Sequence, residues 1–387
     1  MKRTKKKVKI VALAAVISLS LLGFSMAESA IVNNMEFKGK AIELTLDKAI
    51  EVGLEDNATV EKSKLDIEQA DVDVDKLKNQ IKKYKKNAGS YTREGSIKNI
   101  ELVKIPDLQE DFIIENAKRN HEVTMVNLRS DIEKSYFQLL QAKELVEINK
   151  ENLEITKDLY EKTKQKFDLG LITKQEVLQS EYNVKEGENK YRASQDTVKK
   201  ATMALNIKLG YDVMTNVKLN DQLGYKEYKE IDIADAISNA LLNRNEIKAA
   251  EYALELAKLK FQVADKKYSP NAFDYRSADV NVKKSEKDLN DANKMIEMEV
   301  RSNYLDVLQK QEDIRAGEKS VELAKEALRL TKSSYDVGMS ILTDVQQAQN
   351  RLLSAKLGLS QTILDYNLAV LKLEDSMGIG RTSTASR

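Results

Sequence analysis

Lys166-Phe167-Asp168-Leu169-Gly170 returns 168 residues later as Ser334-Tyr335-Asp336-Val337-Gly338. The same offset pairs Tyr136 with Tyr304, Leu140 with Leu308, Gln141 with Gln309, Val177 with Val345, Gln179 with Gln347 and Gly210 with Gly378. No gap is needed from about 126 to 210. Upstream the offset becomes 187. There Ala49-Ile50 matches Ala236-Ile237, and Val60, Ile67, Val74 and Ile81 match Ile247, Leu254, Phe261 and Tyr268. The first half therefore carries 19 extra residues between about 82 and 110. The chain is an internal duplication of a long unit.

Within each half the period is seven. Met125, Ile132, Leu139, Val146, Leu153, Tyr160 and Phe167 form one stripe, and Val300, Val307, Ile314, Val321, Leu328 and Tyr335 form its counterpart. After the glycines the period resumes in Val177, Val184, Tyr191, Val198 and Leu205, and again in Val345, Leu352, Leu359, Tyr366 and Leu373. Sustained seven-residue spacing with charged residues between is the mark of packed long helices. A strand would throw alternate members of such a series to opposite faces. The pattern predicts short helices near 46–55 and 232–243 and medium helices near 57–87 and 245–268. It predicts long helices near 108–168 and 278–337, and return helices near 174–209 and 342–377. A 60-residue helix is about 90 Å long, so each must turn at its glycine and pack against its return helix. The expected fold class is all-α: two elongated antiparallel coiled-coil hairpins with little or no β-structure.

The turns have a local mechanism. Gly170 and Gly338 can take the left-handed conformation that ends a helix. Thr173-Lys174-Gln175-Glu176 reads as a capping box. The second turn lacks that box, and Ser340 is its expected N-cap, with Asp344 placed to favour the positive helix end.

Composition agrees with a rod. The 387 residues include two Pro and 14 Gly, and 32% of them are charged. With no Cys there is no disulfide, thiolate nucleophile or Cys-ligated metal. One His leaves no basis for His-based catalysis or a His-rich metal site, and no cofactor is expected. Residues 1–27 read as a signal peptide: six basic groups, an uncharged run Ile10–Leu22, and Ser25-Met26-Ala27 as cleavage site. Beyond them stand 57 basic and 62 acidic side chains, a net −5, so nothing favours binding to nucleic acid. The expected domains are 28–215 for the first repeat and 216–380 for the second, followed by a disordered tail, 381–387.

These features together resemble the TolC family of outer membrane efflux proteins. The resemblance rests on the doubled half with its Lys166–Gly170 and Tyr335–Gly338 turns, each followed by an acid and Val (Glu176-Val177, Asp344-Val345). It also rests on Leu46-Asp47-Lys48-Ala49-Ile50, Ile233-Ala234-Asp235-Ala236-Ile237, Ser135–Leu140 and Leu209-Gly210. It covers about 42–380. The resemblance implies a homotrimer whose hairpins form an α-helical tunnel. It also implies a shared β-barrel, a periplasmic adaptor, an inner-membrane pump of ABC or RND type, and no enzymatic activity. It implies a gate near the hairpin tips. By position Asp344 matches the first acid of that gate, Gln347 stands where a second acid is usual, Ser340 replaces a tip Arg, and Tyr335 keeps a tip Tyr. Glu176 takes the acidic position of the first half.

Each candidate has a plainer reading beside it. Asp344, Gln347 and Glu176 either line a constriction or complement a helix dipole. Asp168 and Asp336, just before the turn glycines, read either as ligands or as hydrogen-bonders of the tips, whose turns also contain Gly170, Thr173 and Gly338. His121 is expected to be solvated, and Tyr160, Tyr191, Tyr335 and Tyr366 to be core. The run Lys82-Lys83-Tyr84-Lys85-Lys86 reads either as a solvated helix end or as a contact for anionic lipid or cell-wall polymer. The departure from the family lies in the connectors. A spanning strand needs about 9–11 residues. In the first connector only Ser96–Ile105 has strand character, and the second, Ser269–Ser277, cannot hold two such strands. The expectation is an exported cell-envelope protein lacking most of the barrel. It would be an exit duct driven by a partner pump or, as the alternative, a coiled-coil scaffold without channel activity.

Overall fold

The computed structural model describes residues 36–55, 57–85 and 93–382. Strand β1 is Lys38–Leu44, followed by α1 (Leu46–Glu55), α2 (Ala58–Lys85) and α3 (Arg93–Asn99). A π-helical turn, Ile100–Lys104, leads into α4 (Ile105–Asp168), which returns as α5 (Lys174–Lys208). Strand β2 (Thr215–Leu219) closes the first half. The second half comprises α6 (Ile233–Asn243), α7 (Asn245–Lys267), α8 (Phe273–Asp336) and α9 (Leu342–Met377). Both long helices have 64 residues, about 95 Å each.

The seven-residue stripes are what hold these helices. Val300, Val307, Ile314, Leu328 and Tyr335 of α8 are buried, and so are Val345, Leu352, Tyr366 and Leu373 of α9. In the first hairpin Ile132, Leu139 and Leu153 are buried against Val177, Val184 and Leu205, while Tyr160, Phe167 and Tyr191 are half-buried. Toward the tips α4 packs between α5 and α9, and α9 packs against α8. At the other end α4 packs between α2 and α7, and α7 packs against α8. There Phe112 stacks on Tyr252 at 3.7 Å, and Phe261 meets Tyr275 edge-on at 5.2 Å. The result is a wall of four helices, with α8 along one edge and α2 and α5 sharing the other.

The connectors differ from expectation in two respects. Ser96–Ile105 is helical, not extended. Pro106 lies in the first turn of α4, where its missing N–H would leave a gap in a continuous α-ladder. The preceding π-turn absorbs the mismatch, so the helix path runs unbroken from Arg93. The second connector is shorter than expected, because α8 begins at Phe273 and leaves only Tyr268–Ala272. Among the described residues neither connector contains a strand. No described helix is long and apolar enough to cross a membrane. The proposed signal peptide lies outside the described residues.

The two strands were not anticipated. β1 and β2 pair in parallel midway along the rod, from Lys38 opposite Thr215 to Leu44 opposite Leu219. β2 thus pairs with the first strand of the chain and spans the residue, 215, at which the first repeat was expected to end. Tyr225, Tyr228 and Ile231 already pack in the core of the second half. Helix α1 seats on α4 so closely that a Cβ at Gly53 would lie 2.4 Å from Ile132 Cδ1. Tyr136 donates to Asp221 Oδ2, which also accepts the Leu46 N–H at 3.2 Å, fixing the start of α1. His121, expected in solvent, is half-buried, its Nδ1 2.7 Å from Ser63 Oγ. Arg381, expected to begin a loose tail, is tied to Asn127 at 2.8 Å and Asp131 at 3.2 Å.

That last contact lies beside two carboxyls, buried Glu133 of α4 and half-buried Asp375 of α9. Glu133 accepts from Arg129 at 3.1 Å, and Asp375 of α9 accepts from Ser130 of α4. Burial pushes both carboxyls above their ordinary range, against the pull of these donors. The folded state therefore holds these protons more tightly than the unfolded chain does. Stability from the pair rises as pH falls from neutral through the raised values, and levels off near the unfolded values of about 4. Asp375→Asn keeps an acceptor for Ser130 and removes the buried charge. Its melting temperature should exceed that of the parent at neutral pH, and the gap should close on acidification toward about pH 4. Thermal melts across that range check it.

Candidate functional site: the paired hairpin tips

Both hairpins turn by the same device. Gly170 (φ +73°) and Gly338 (φ +82°) are left-handed. The amide after each glycine reaches back over the turn: Leu171 N–H to Lys166 O at 2.9 Å, and Met339 N–H to Ser334 O at 2.8 Å. This is the six-to-one bond of a glycine-terminated helix.

The acidic candidates serve as helix caps. Thr173 and Glu176 form the expected capping box. The Glu176 carboxylate accepts the Thr173 N–H at 2.8 Å, and Thr173 Oγ1 accepts the Glu176 N–H at 3.4 Å. In the second tip the N-cap is Ile341, not Ser340. Ile341 has no side-chain acceptor, so Asp344 reaches back to its N–H at 3.2 Å. Ser340 is instead drawn into the glycine turn, its N–H 3.3 Å from Ser334 O. Asp344, Gln347 and Asp168 are exposed.

Tyr335 and Asp336 belong to a seam between the two tips. Tyr335 is only 3% exposed, packed with Leu159 of the first hairpin and Leu342 and Val345 of its own. It is therefore a seam residue in the single chain and does not project from the tip. The Lys166 ammonium sits 3.6 Å from the Tyr335 ring centroid and also donates to its carbonyl oxygen. Thr163 Oγ1 lies 3.4 Å from the Tyr335 hydroxyl. Lys162 binds both Asp336 oxygens, at 3.0 and 2.9 Å, and that bond raises its pKa. Lys332 pairs with Asp158 at 2.9 Å. One stretch farther along, the buried Gln349 amide donates to Asn152 Oδ1 at 2.9 Å and Thr156 Oγ1 at 2.6 Å.

Lys162, Lys166, Asn152 and Thr156 were missed from sequence, although a signal existed. At the offset of 168 their counterparts are Leu330, Ser334, Ser320 and Ala324. Polar groups that break the repeat mark where one copy faces the other. Among the described residues no His or carboxylate cluster could hold a metal.

Comparison with known proteins finds partial sequence matches and a broader likeness of fold. Residues 271–379 match the model of the family described as outer membrane efflux protein. A 65-residue segment is 42% identical to the outer membrane protein TolC of Vibrio cholerae. Over these stretches the chain is similar to the TolC family. That segment is 17% of this chain and 15% of the TolC relative. The fold likeness extends much farther. The VceC outer membrane protein of Vibrio cholerae superposes with a TM-score of 0.68 at 14% identity, covering 87% of this chain and 97% of that one. The CmeC outer membrane channel of Campylobacter jejuni gives 0.66 at 15% identity, covering 88% and 87%. The fold of the described residues is thus shared with these outer membrane proteins, and among the described residues neither connector holds a strand.

The seam should be measurable. The Lys166–Tyr335 contact is half-buried, and a cation–π pair of this kind contributes about 1–2 kcal/mol. Lys166→Ala should therefore speed amide hydrogen exchange across 333–340 by about tenfold, with little change at the far end of the rod. Unchanged protection there would contradict a fastened tip.

Proposed function

We propose that the chain is the exit-duct component of an efflux or type I-like export system. In this reading three copies join their walls into an α-helical tunnel that conducts passively. The observation that carries it is a second apolar stripe on each edge of the wall. On α8 these residues are Met298 and Leu305, then Leu323, Leu330 and Val337. On the opposite edge they are Leu65 and Val72 of α2, with Leu171 in the tip turn and Leu178 and Tyr182 on α5. Within each run the spacing is again seven, apart from Tyr182, which stands four residues after Leu178. All are exposed, Leu323 to 74%. Such stripes on a charged rod are surfaces that another copy would cover. Because the two edges differ, the contact is head-to-tail, and such contacts generate closed rings when the rotation allows.

The family likeness supports an adaptor and an inner-membrane pump as partners, with energy supplied by the pump. It also supports an envelope location. In a ring, Asp344 and Glu176 would stand near the tunnel's narrow end while still capping their helices. Opening would require the seam at Tyr335 and Asp336 to yield. The connectors hold no strand among the described residues, which favours a second reading, a scaffold that keeps the ring and conducts nothing.

Sedimentation of the exported chain should give a trimer. Leu323→Lys with Leu330→Lys should give a monomer of unchanged helical content, since neither side chain is buried in the single chain. A monomeric parent at micromolar concentration would remove the tunnel. Replacing Asp344 and Glu176 together by Ala should change conductance or drug resistance. Trimers indifferent to that change would leave the scaffold reading.

A further inference from the structure

We propose that a cavity between α4 and α9 is a binding site for a linear aliphatic polyamine. Its volume is about 390 Å³, within the range of small-ligand sites. One face of α4 gives it charge. Glu144, Glu147, Glu151 and Glu154 line it at spacings of three and four, a single stripe of the helix. Like charges at that spacing weaken a helix. Glu151 is paired with Lys356 of α9, and Lys150 stands beside the stripe. Among the described residues Glu144, Glu147 and Glu154 have no ion pair. The second copy of the repeat carries no such stripe. At the offset of 168 the four positions are Glu312, Arg315, Lys319 and Glu322. There Arg315 pairs with Glu312 at 2.6 Å and Lys319 with Glu322 at 2.8 Å, so the face neutralises itself. With Lys150 and its counterpart Glu318 included, the first face holds four acids and one base, and the second holds three acids and two bases.

Ser360 of α9 adds an independent demand. It lines the same cavity, is 3% exposed, and its hydroxyl has no hydrogen-bond partner among the described residues. A buried polar group left unbonded is costly, and an N–H donor in the cavity would satisfy it. The remaining wall is apolar: Ile148 of α4, Leu223 after β2, Val321 of α8, and Leu359 and Ile363 of α9. The occupant that fits donates hydrogen bonds, carries more than one positive charge, and presents apolar surface between its charges. Ammonium groups joined by short methylene chains do all three. A bare divalent ion lacks the apolar surface, and among the described residues no carboxylate cluster could chelate one. From Glu144 to Glu154 the stripe runs about 15 Å, so successive ammonium groups can each meet a carboxylate. Because α4 and α9 both line the site, an occupant would fasten the two hairpins of one chain together, with or without a ring.

The test is isothermal titration calorimetry of the exported full chain with spermidine. One saturable site per chain is expected, weakening as salt rises. Glu147→Gln with Glu154→Gln should lower the affinity by about tenfold, and Ser360→Ala by about fivefold. Glu312→Gln with Glu322→Gln, on the corresponding face of α8, should leave it unchanged. Circular dichroism of each variant would show that the helices are intact. Absence of saturable binding would overturn the proposal, as would affinity that ignores both the Glu147 and Glu154 changes and Ser360→Ala. Equal losses from the two pairs of glutamate substitutions would also overturn it, since they would mean diffuse attraction to an acidic rod. So would equally tight binding of magnesium chloride, which would mean a site for any cation.

Discussion

A seven-residue apolar stripe on a helix about 95 Å long is the constraint from which the rest follows. Neither long helix can bury its stripe alone, and neither has a globular core to lean on. Each must be covered along its whole length by a partner of similar length. The glycine at each tip makes that partner the chain's own continuation. Val300, Val307 and Ile314 are wholly buried for this reason, as is Val345 beyond the turn. The same demand repeats one level up. Two hairpins side by side make a wall, and the wall has edges whose own stripes are uncovered.

Duplication alone would give two equivalent hairpins with no reason to choose one lateral arrangement. The choice is made by residues at which the copies differ. Lys162 and Lys166 face Asp336 and Tyr335, Gln349 faces Asn152 and Thr156, and Asp375 faces Ser130. Surface ion pairs such as Lys162–Asp336 are worth little individually. A buried amide such as Gln349 is different, because leaving it unbonded is costly, so it fixes the register of α4 against α9. Tyr335 joins the two scales: it is the last member of an apolar stripe and also the ring beneath the Lys166 cation. That dual role ties the end of the apolar stripe to the contact between the two tips.

Much of this was legible in the sequence. The helix boundaries followed from periodicity and from Thr173, Gly170 and Gly338, since these signals are local. Ser340 was misread because the reading assumed that a hydroxyl must cap. Asp344 reaching back to a bare Ile341 amide does the same work. Ser96–Ile105 looked extended because its apolar spacing is irregular. That irregularity is the π-turn before Pro106, a feature that pattern counting does not contain. The strands β1 and β2 are short and pair across 175 residues, so no local signal could unite them. The candidate tip acids were found, but their neighbours across the seam were not, because Lys162 and Lys166 acquire meaning only when the two copies are set face to face.

The claim most open to direct measurement is that both tips lie side by side at one end of the rod. The chain contains no cysteine, so spin labels can be placed without background at Leu169→Cys and Val337→Cys, both exposed beside their glycines. Electron–electron distance measurement, on labelled chain diluted with unlabelled chain, should give one narrow population at about 20–25 Å, two helix diameters. A broad distribution, or one centred beyond about 50 Å, would mean that the hairpins diverge. The seam, the wall and the ring built from it would then be wrong together.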